Sequence, residues 1–296
     1  MIRSAPAGEP SSSSRRASVL PDVSLHVTGV SSETHGVAMS IDNDIYNQHA
    51  ASWWDEDDPL NMLHGSVTPA RFGYFVAVLE RLGRRPSGLR ALDIGCGGGF
   101  LAEEFARLGC RVVGVDPSAP SIETARRHAA DRGLEIDYRV GSGEHLPVED
   151  GEFDLAYCCD VLEHVDDLDQ VIHETARALK PGGTYMFDTV NRTLVSRVLA
   201  IKVMQEWRAT RVFDTPVHVY DMFIKPRELE SAMARHGLRL QETVGLGPRT
   251  KNPSIAVLGF TRARRGQISY GELSRELDFG QTKTKWMSYM GYATRT

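Results

Sequence analysis

The segment Leu92-Asp93-Ile94-Gly95-Cys96-Gly97-Gly98-Gly99-Phe100 is the strongest chemical signal in this chain. A short apolar run delivers a carboxylate, and the glycines then let the backbone turn sharply and approach a ligand with no side chain between, at Gly95 and Gly97 above all. Asp116 follows about twenty residues later, ending the apolar run that starts at Arg111, where an acid accepts both ribose hydroxyls of an adenosine. A pyrophosphate on a helix N-terminus favours GxGxxG spacing and no acid just before the loop. Asp93 stands in that place; it would repel a phosphate and attract an ammonium. The pattern therefore favours S-adenosylmethionine over a dinucleotide, with Asp93 organising the loop and the amino acid end and Asp116 fixing the ribose. The architectural alternative for Asp93 is capping of the following helix across the turn.

A second cluster is Asp160-Val161-Leu162-Glu163-His164. If a helix begins here, the i, i+3, i+4 spacing puts Asp160, Glu163 and His164 on one side, within reach of a common point. Two carboxylates and an imidazole suit a divalent ion such as Mg or Zn, and His164 alone suits a general base. Acids near a helix start also favour the helix dipole, and a lone His serves equally as a cap or packing residue. Spacing leaves all three roles open.

These groups need a scaffold, and the chain after Pro86 supplies a repeating one. Leu89 to Ile94, Arg111 to Val115, Ile136 to Val140, Phe153 to Cys158 and Tyr185 to Asp188 read as strands. Phe100 to Leu108, Ser121 to Arg132 and Leu168 to Leu179 read as helices, the last stopped by Lys180-Pro181-Gly182-Gly183. This alternation predicts an α/β fold, a Rossmann-like, doubly wound and mostly parallel sheet. A helix from Glu228 to His236 and strands near Leu238 to Val244 and Ile255 to Thr261 follow, and about the last thirty residues carry no clear period. Ahead of the core, Tyr46, Ala50, Trp53 and Trp54 share a helical face that Asp55 to Asp58 and Pro59 interrupt. A second helix starts at Thr68-Pro69, turns Phe72, Phe75, Val76 and Leu79 inward and ends at Gly83. Residues 41–88 are thus expected to form a helical lid, and 89–296 the core with an insertion at about 190–222.

Within that insertion, Leu194, Val198, Ile201 and Met204 or Gln205 share roughly one helical face, with Arg197, Lys202, Arg208 and Arg211 around it. Residues 193–213 suit closure over a substrate or rest on an anionic membrane surface, and equally suit a core helix with solvated basic flanks. Residues 1–40, with Ser11 to Ser14 and few large apolar groups, cannot offset their ordering entropy and are expected to be a disordered tail. An organelle transit peptide is the alternative there. The 34 Lys plus Arg against 39 Asp plus Glu give a formal charge of -5, so no global positive field exists to hold nucleic acid. Cys96, Cys110, Cys158 and Cys159 show no paired CxxC spacing, which points to a reducing compartment. No apolar stretch approaches the roughly 18 to 20 residues that cross a bilayer, and the start lacks the order of a secretory signal. The expected location is cytoplasmic, with peripheral membrane contact through 193–213 left open.

Leu92 to Phe100, Val113-Gly114-Val115-Asp116, Gly141 to Pro147 and Leu179 to Gly183 resemble, in this order, the motifs of class I S-adenosylmethionine-dependent methyltransferases. The resemblance implies a seven-stranded sheet and places Ser142, Gly143 and Glu144 near the adenine, with Ser142 where an acid is usual. Ala51 to Asp55, Leu63-His64, Arg71 to Tyr74, Cys158 to Val165, Asn191-Arg192-Thr193 and Phe223 to Pro226 are further similar to the ubiquinone-biosynthesis O-methyltransferases, the UbiG type. Members of that family methylate a phenolic hydroxyl of a catechol carrying a polyprenyl chain, and their inserted helical region is associated with membranes. The resemblance implies that Arg71, Gly95 and Asp116 bind the cofactor and that Cys159 lies beside its adenine. It also implies that Asp160, Glu163 and His164 are the trio that binds a divalent ion, such as Mg, in some members. His218 matches a family His, but the acid that normally follows it is Val219. Asp160 is one methylene shorter than the family's Glu, Gly65 to Thr68 is one residue longer than usual, and Asp188 replaces a small residue.

The expected activity is methyl transfer to a small hydrophobic acceptor, through O-methylation of a phenol or catechol. Such a transfer aligns the acceptor oxygen behind the sulfonium carbon at roughly 3 Å, so positioning and water exclusion are the protein's main tasks. Loss of the phenolic proton falls either to a metal held by the trio or to His164 as base. The alternatives are an N-, C- or O-methyltransferase of a natural-product pathway and a cofactor-binding protein without catalysis.

Overall fold

The computed structural model describes residues 43–250 and 253–296, so the tail expected over 1–40 lies outside the described residues. Short helix α1 (Asp44–Gln48), single turns at Ala50–Ser52 and Pro59–Asn61 and a wide turn at Leu63–Val67 lead into α2 (Thr68–Arg81). The core then runs β1 (Arg90–Ile94), α3 (Phe100–Arg107), β2 (Arg111–Asp116), α4 (Ala119–Asp131), β3 (Asp137–Val140), β4 (Phe153–Cys159), α5 (Leu168–Ala178) and β5 (Leu179–Val190). After it come α6 (Leu194–Ser196), prolonged by a π-type helix Arg197–Glu206, then α7 (Pro226–Arg235) and β6 (Leu238–Pro248). The described chain ends with α8 (Pro253–Arg264), α9 (Tyr270–Leu277), β7 (Phe279–Thr282) and β8 (Ser288–Arg295).

The strands form one sheet in the order β3-β2-β1-β4-β5-β8-β6-β7. Strands β1 to β5 pair in parallel, and β8 runs antiparallel between β5 and β6. Among the described residues eight strands stand where seven were expected: Ile255 to Thr261 is not one of them, and β8 and the four-residue edge strand β7, antiparallel to β6, both fall within about the last thirty residues, which carry no clear period. Strand β1 is buried on both faces, as in parallel sheets covered by helices on each side. Leu92 and Ile94 pack with Val171 and Ile172 of α5 and Leu229 and Met233 of α7. Ala91 faces the other layer, with Phe75 and Leu79 of α2, Phe105 of α3 and Ile122 of α4. The order in which the chain adds strands reverses between β1 and β4, the switch point beyond whose carboxyl ends open parallel sheets bind ligands. The glycine loop leaves β1 there and the Asp160 segment leaves β4 beside it.

Three local expectations are corrected. Ile255 to Thr261 is helical, within α8, and not a strand. A run of six apolar residues has no period that separates the two, whereas Pro253 at the first turn is a helix-start signal. The helix seats Phe260 and Ala263 against Val203, Leu273 and Leu277 and leaves Leu258 exposed. In the insertion, i→i+5 winding rotates side chains away from 3.6-residue positions. Leu194 and Val198 are therefore exposed while Ile201 and Val203 are buried, which splits the expected face. In α2, Tyr74 and Val78 join Phe75 and Leu79 inside, and Phe72 and Val76 are only half-buried.

The aromatic pair of the N-terminal segment packs on the glycine loop. Trp53 is buried and donates from Nε1 to Ser121 Oγ at 3.0 Å, and Trp54 donates to the Gly98 carbonyl at 3.0 Å. Trp54 also stacks on His128 with ring centroids 3.5 Å apart, and Nδ1 of that ring lies 2.6 Å from Glu103 Oε1.

Candidate functional site

The glycine loop has left-handed backbone at Gly95 (φ 73°) and Gly97 (φ 49°), a region that residues with a Cβ rarely enter. The backbone N–H of Gly95 and of Cys96 both donate to the Val115 carbonyl, at 2.8 and 3.1 Å, which locks the loop to the end of β2. A Cβ at Gly95 would overlap the Val161 side chain, and one at Gly97 would lie 2.7 Å from the Trp53 ring. The loop is thus enclosed by the Asp160 segment on one side and the aromatic pair on the other.

Asp116 fastens this arrangement. Its Oδ2 accepts from Gly97 N at 2.9 Å and its Oδ1 from Ser118 N at 2.8 Å, so each oxygen keeps a lone pair for a ribose hydroxyl. Burial raises its carboxyl above the ordinary value, and the two N–H groups pull it back. Asp93 is buried and its Oδ2 has no partner. Burial, and then Asp116, hold its carboxyl well above the ordinary range, against Arg71 and a hydrogen bond from the Ala102 backbone. Ala102 lies in the first turn of α3, so the carboxylate faces that helix start while Oδ2 has no partner.

Arg71 is buried in α2 between two acids. Its Nη2 donates to Asp160 Oδ2, and its Nε lies 2.8 Å from Asp188 Oδ2, an ion pair out of line for a hydrogen bond. Among the described residues Nη1 has no hydrogen-bond partner. Burial disfavours the charged guanidinium, but Asp160 and Asp188 outweigh it and hold Arg71 protonated. Cys159 is half-buried and next to the same carboxylate. Burial, then Asp188, push its thiol well up, so it is neutral.

The acid and His cluster departs from the expected helix. Asp160 is itself left-handed (φ 53°), at a cost of about 1 kcal/mol or more, and only a single 3₁₀ turn follows at Leu162–His164. The strained residue is held by Asp188 Oδ1, which accepts from Asp160 N at 3.1 Å, and by Arg71 on its carboxylate. Asp160 therefore faces Arg71 while Glu163 and His164 follow on the turn. Among the described residues, no three His, Cys, Asp or Glu side chains are grouped to hold a metal ion. The i, i+3, i+4 expectation fails because the backbone reverses at its first member.

Glu163 is buried, accepts from Thr189 Oγ1 at 2.7 Å through Oε2, and has no partner at Oε1. Burial, with Asp160 nearby, pushes its carboxyl up to about 8. Asp188 is pushed up to about 7, burial outweighing Arg71. His164 has a buried Nδ1 without a partner; its ring lies 6.0 Å from Tyr46, edge-on, and 5.1 Å from His218. Burial pushes His164 down to about 3 and His218 to about 4, so both imidazoles are neutral at pH 7.

A carboxyl raised on folding favours the folded state most below its ordinary value of 4.5, and that contribution is lost as pH rises through about 8. The two depressed imidazoles give the opposite slope below about pH 6.5, so thermal midpoints of the protein should fall between pH 6.5 and 8, and Glu163→Gln should flatten that decline, leaving the share due to Asp188. Parallel profiles for the two proteins, measured by scanning calorimetry, would contradict this.

Sequence reasoning noted Asp188 as a departure and missed it as the partner of both Arg71 and Asp160. The available signal was its place, a carboxylate at the carboxyl end of a parallel strand. Tyr46, as a neighbour of His164, had none. A separate cleft of about 710 Å³ between α2 and the β6-β7 edge shares none of these groups apart from their helix. Its Arg81, Arg249 and Arg275 are paired with Glu242, Asp278 and Glu56.

Residues 92–187 match the family model described as a methyltransferase domain. Ubiquinone biosynthesis O-methyltransferase of Brucella anthropi is 38% identical over 232 residues, 76% of this chain and 90% of that protein. The protein of that name from Xanthomonas axonopodis pv. citri is 39% identical over 221 residues, covering 73% and 89%. Among solved structures, a SAM-dependent methyltransferase from Thermotoga maritima aligns with TM-score 0.54 at 21% identity, over 85% of this chain and 99% of that one. Magnesium protoporphyrin IX methyltransferase from Synechocystis aligns with TM-score 0.50 at 19% identity, over 76% and 82%. The two structural likenesses speak to the fold, whereas the identity to the curated relatives extends over about three quarters of this chain and nine tenths of theirs. On that breadth, the chain belongs to the ubiquinone-biosynthesis O-methyltransferase family and is an S-adenosylmethionine-dependent methyltransferase.

Proposed function

We propose that the protein methylates a phenolic hydroxyl of a small hydrophobic acceptor, a catechol bearing an apolar chain. The observation that carries this reading is His164 Nδ1, buried and unpartnered on the segment whose Val161 abuts the glycine loop. When bound, S-adenosylmethionine supplies a methyl group already activated by its sulfonium. Asp93 Oδ2 accepts from the cofactor's ammonium, Arg71 Nη1 donates to its carboxylate, and Asp116 accepts from its ribose. Cys159, opposite Asp188 in the sheet and next to Arg71, goes with the cofactor's amino acid end in this reading and not with its adenine. Burial of the crevice between the aromatic pair and the Asp160 segment excludes water, and the acceptor's proton passes from its phenolic oxygen to His164 Nδ1.

A second reading rests on the orphaned Glu163 Oε1 next to the same histidine. These two atoms fit two ligands of a divalent ion such as Mg, which would supply charge to lower a phenol's pKa of about 10. Asp160 fits as third ligand only after release from Arg71. Outside the crevice, Leu194, Val195, Val198 and Trp207 are exposed beside Arg197 and Arg208, which supports peripheral contact with an anionic membrane that carries the acceptor.

The test is incubation with isotopically labelled methyl donor and an acceptor panel, followed by mass spectrometry of the products. The panel holds catechols with and without a prenyl chain, free and in anionic vesicles, together with amines and carbon nucleophiles. The expected product is labelled on a phenolic oxygen, with the prenylated catechol in vesicles turned over best. Label on nitrogen or carbon would move the protein to another acceptor class, and cofactor binding with no labelled product at all would leave it without catalysis.

A further inference from the structure

Gln205 lies at the end of the π-type helix, and its amide is spent on one stretch of backbone. Oε1 accepts from the N–H of Val217 at 2.9 Å and of His218 at 2.8 Å, while Nε2 donates to the His218 carbonyl at 3.0 Å. Residues 214–219 belong to no helix or strand, so this side chain takes the place of a ladder there. The His218 ring stands 5.1 Å from His164 and 5.8 Å, edge-on, from Phe223. The helix that ends at Gln205 begins with the exposed Leu194, Val195 and Val198, and Trp207 follows two residues on. Its buried Ala200 and Ile201 pack with Val190, at the end of β5, and with Phe223. The inserted helix therefore touches the site through two contacts, an apolar one at the end of β5 and a polar one at His218.

We propose that Gln205 is a positioning residue that fixes His218 in the wall of the acceptor pocket, so that the seating of the inserted helix sets where the acceptor lies. This rests on the reading that His164 faces the acceptor. An amide is suited to the task because one oxygen serves two donors and the NH₂ serves one acceptor. A glutamate keeps the two accepted bonds and loses the donated one; a leucine loses all three. No other atom of the methyl-transfer machinery is held by Gln205, so its loss should reach the acceptor and spare the cofactor.

The experiment uses the full chain, a prenylated catechol as acceptor probe and S-adenosylhomocysteine as cofactor probe. Gln205→Leu should raise KM for the catechol roughly tenfold with a smaller change in kcat, and Gln205→Glu should recover most of it. Affinity for S-adenosylhomocysteine should stay within about twofold in both. His218→Ala should raise KM similarly, and the double variant Gln205→Leu/His218→Ala should be no worse than His218→Ala alone. Additive losses in that cycle, or an equal loss of S-adenosylhomocysteine affinity, would show a general structural role and overturn the proposal. A second readout needs no acceptor: Gln205→Leu should shift the ring resonances of His218 and His164 and leave those of His128 and His236 in place, and unmoved His218 and His164 rings would reject it. A wild-type protein that leaves the catechol unmethylated sinks the acceptor reading instead, and the ring resonances still decide whether Gln205 holds His218.

Discussion

Gly95→Val should abolish S-adenosylhomocysteine binding and lower the thermal midpoint. Two independent costs meet at this position. The backbone is left-handed, which disfavours an L residue by about 1–2 kcal/mol, most of all a β-branched one. The new Cβ also overlaps the Val161 side chain, and overpacking of this kind costs typically 1–3 kcal/mol. Together these correspond to a fall of roughly 5–15 °C in a domain of this size. The loop's closeness to its ligand suffers more, because the N–H groups of Gly95 and Cys96 are tied to Val115 and any escape of the Cβ drags that anchor. We expect calorimetry on the folded variant to show at least a hundredfold loss of affinity, about 2.7 kcal/mol. Retention within tenfold would mean that the cofactor does not approach the loop at Gly95. Gly95→Ala combined with Val161→Ala separates the two costs: it relieves the overlap, keeps the backbone strain, and should recover stability ahead of affinity.

His164→Ala should lower kcat by about 10²–10⁴ while leaving S-adenosylhomocysteine affinity within twofold. The imidazole is neutral at pH 7 because of its burial, no protein group occupies Nδ1, and in the tautomer protonated at Nε2 that nitrogen holds a free lone pair. Removing it leaves Asp93, Arg71 and Asp116, the groups proposed to hold the cofactor, untouched. A chelator divides the two roles described for this residue. Wild-type activity that survives chelation and disappears in His164→Ala assigns the proton to the imidazole. Activity lost on chelation and restored by Mg assigns His164 and Glu163 to the ion. Turnover by His164→Ala within tenfold of wild type would remove the residue from the chemistry altogether.

The parts of this protein legible in the sequence are those set by short-range pattern. The glycine run, the acid one strand later and the alternation of apolar runs with amphipathic stretches each depend on neighbours within a few residues, and all appear where the spacing puts them. Asp116 and Gly97 meet because β1 and β2 pair in parallel, with Ile94 opposite Val115. The misread parts depend on contacts made across the fold. The six apolar residues after Ser254 become a helix because Val203, Leu273 and Leu277 offer a face for Phe260 and Ala263 to cover. Asp160 leaves the expected helix because Asp188 and Arg71, far away in sequence, reward a left-handed turn. His218 reaches His164 through Gln205, and no local spacing encodes that approach.

The position of β8 has a consequence for how the site comes to exist. Among the described residues, strand β8 alone pairs β5 with the outer pair β6-β7, and it joins residues distant in the chain, Val190 to Ser288 and Thr184 to Thr294. Closing such a seam carries the largest loop entropy in the sheet. Asp188 sits on that seam, opposite Met290, and it is the carboxylate that aims both Arg71 and Asp160. The glycine loop needs only the first five strands, whereas the aim of Arg71 and Asp160 needs the zipped edge as well, so competence for chemistry belongs to the whole sheet and not to its parallel half alone.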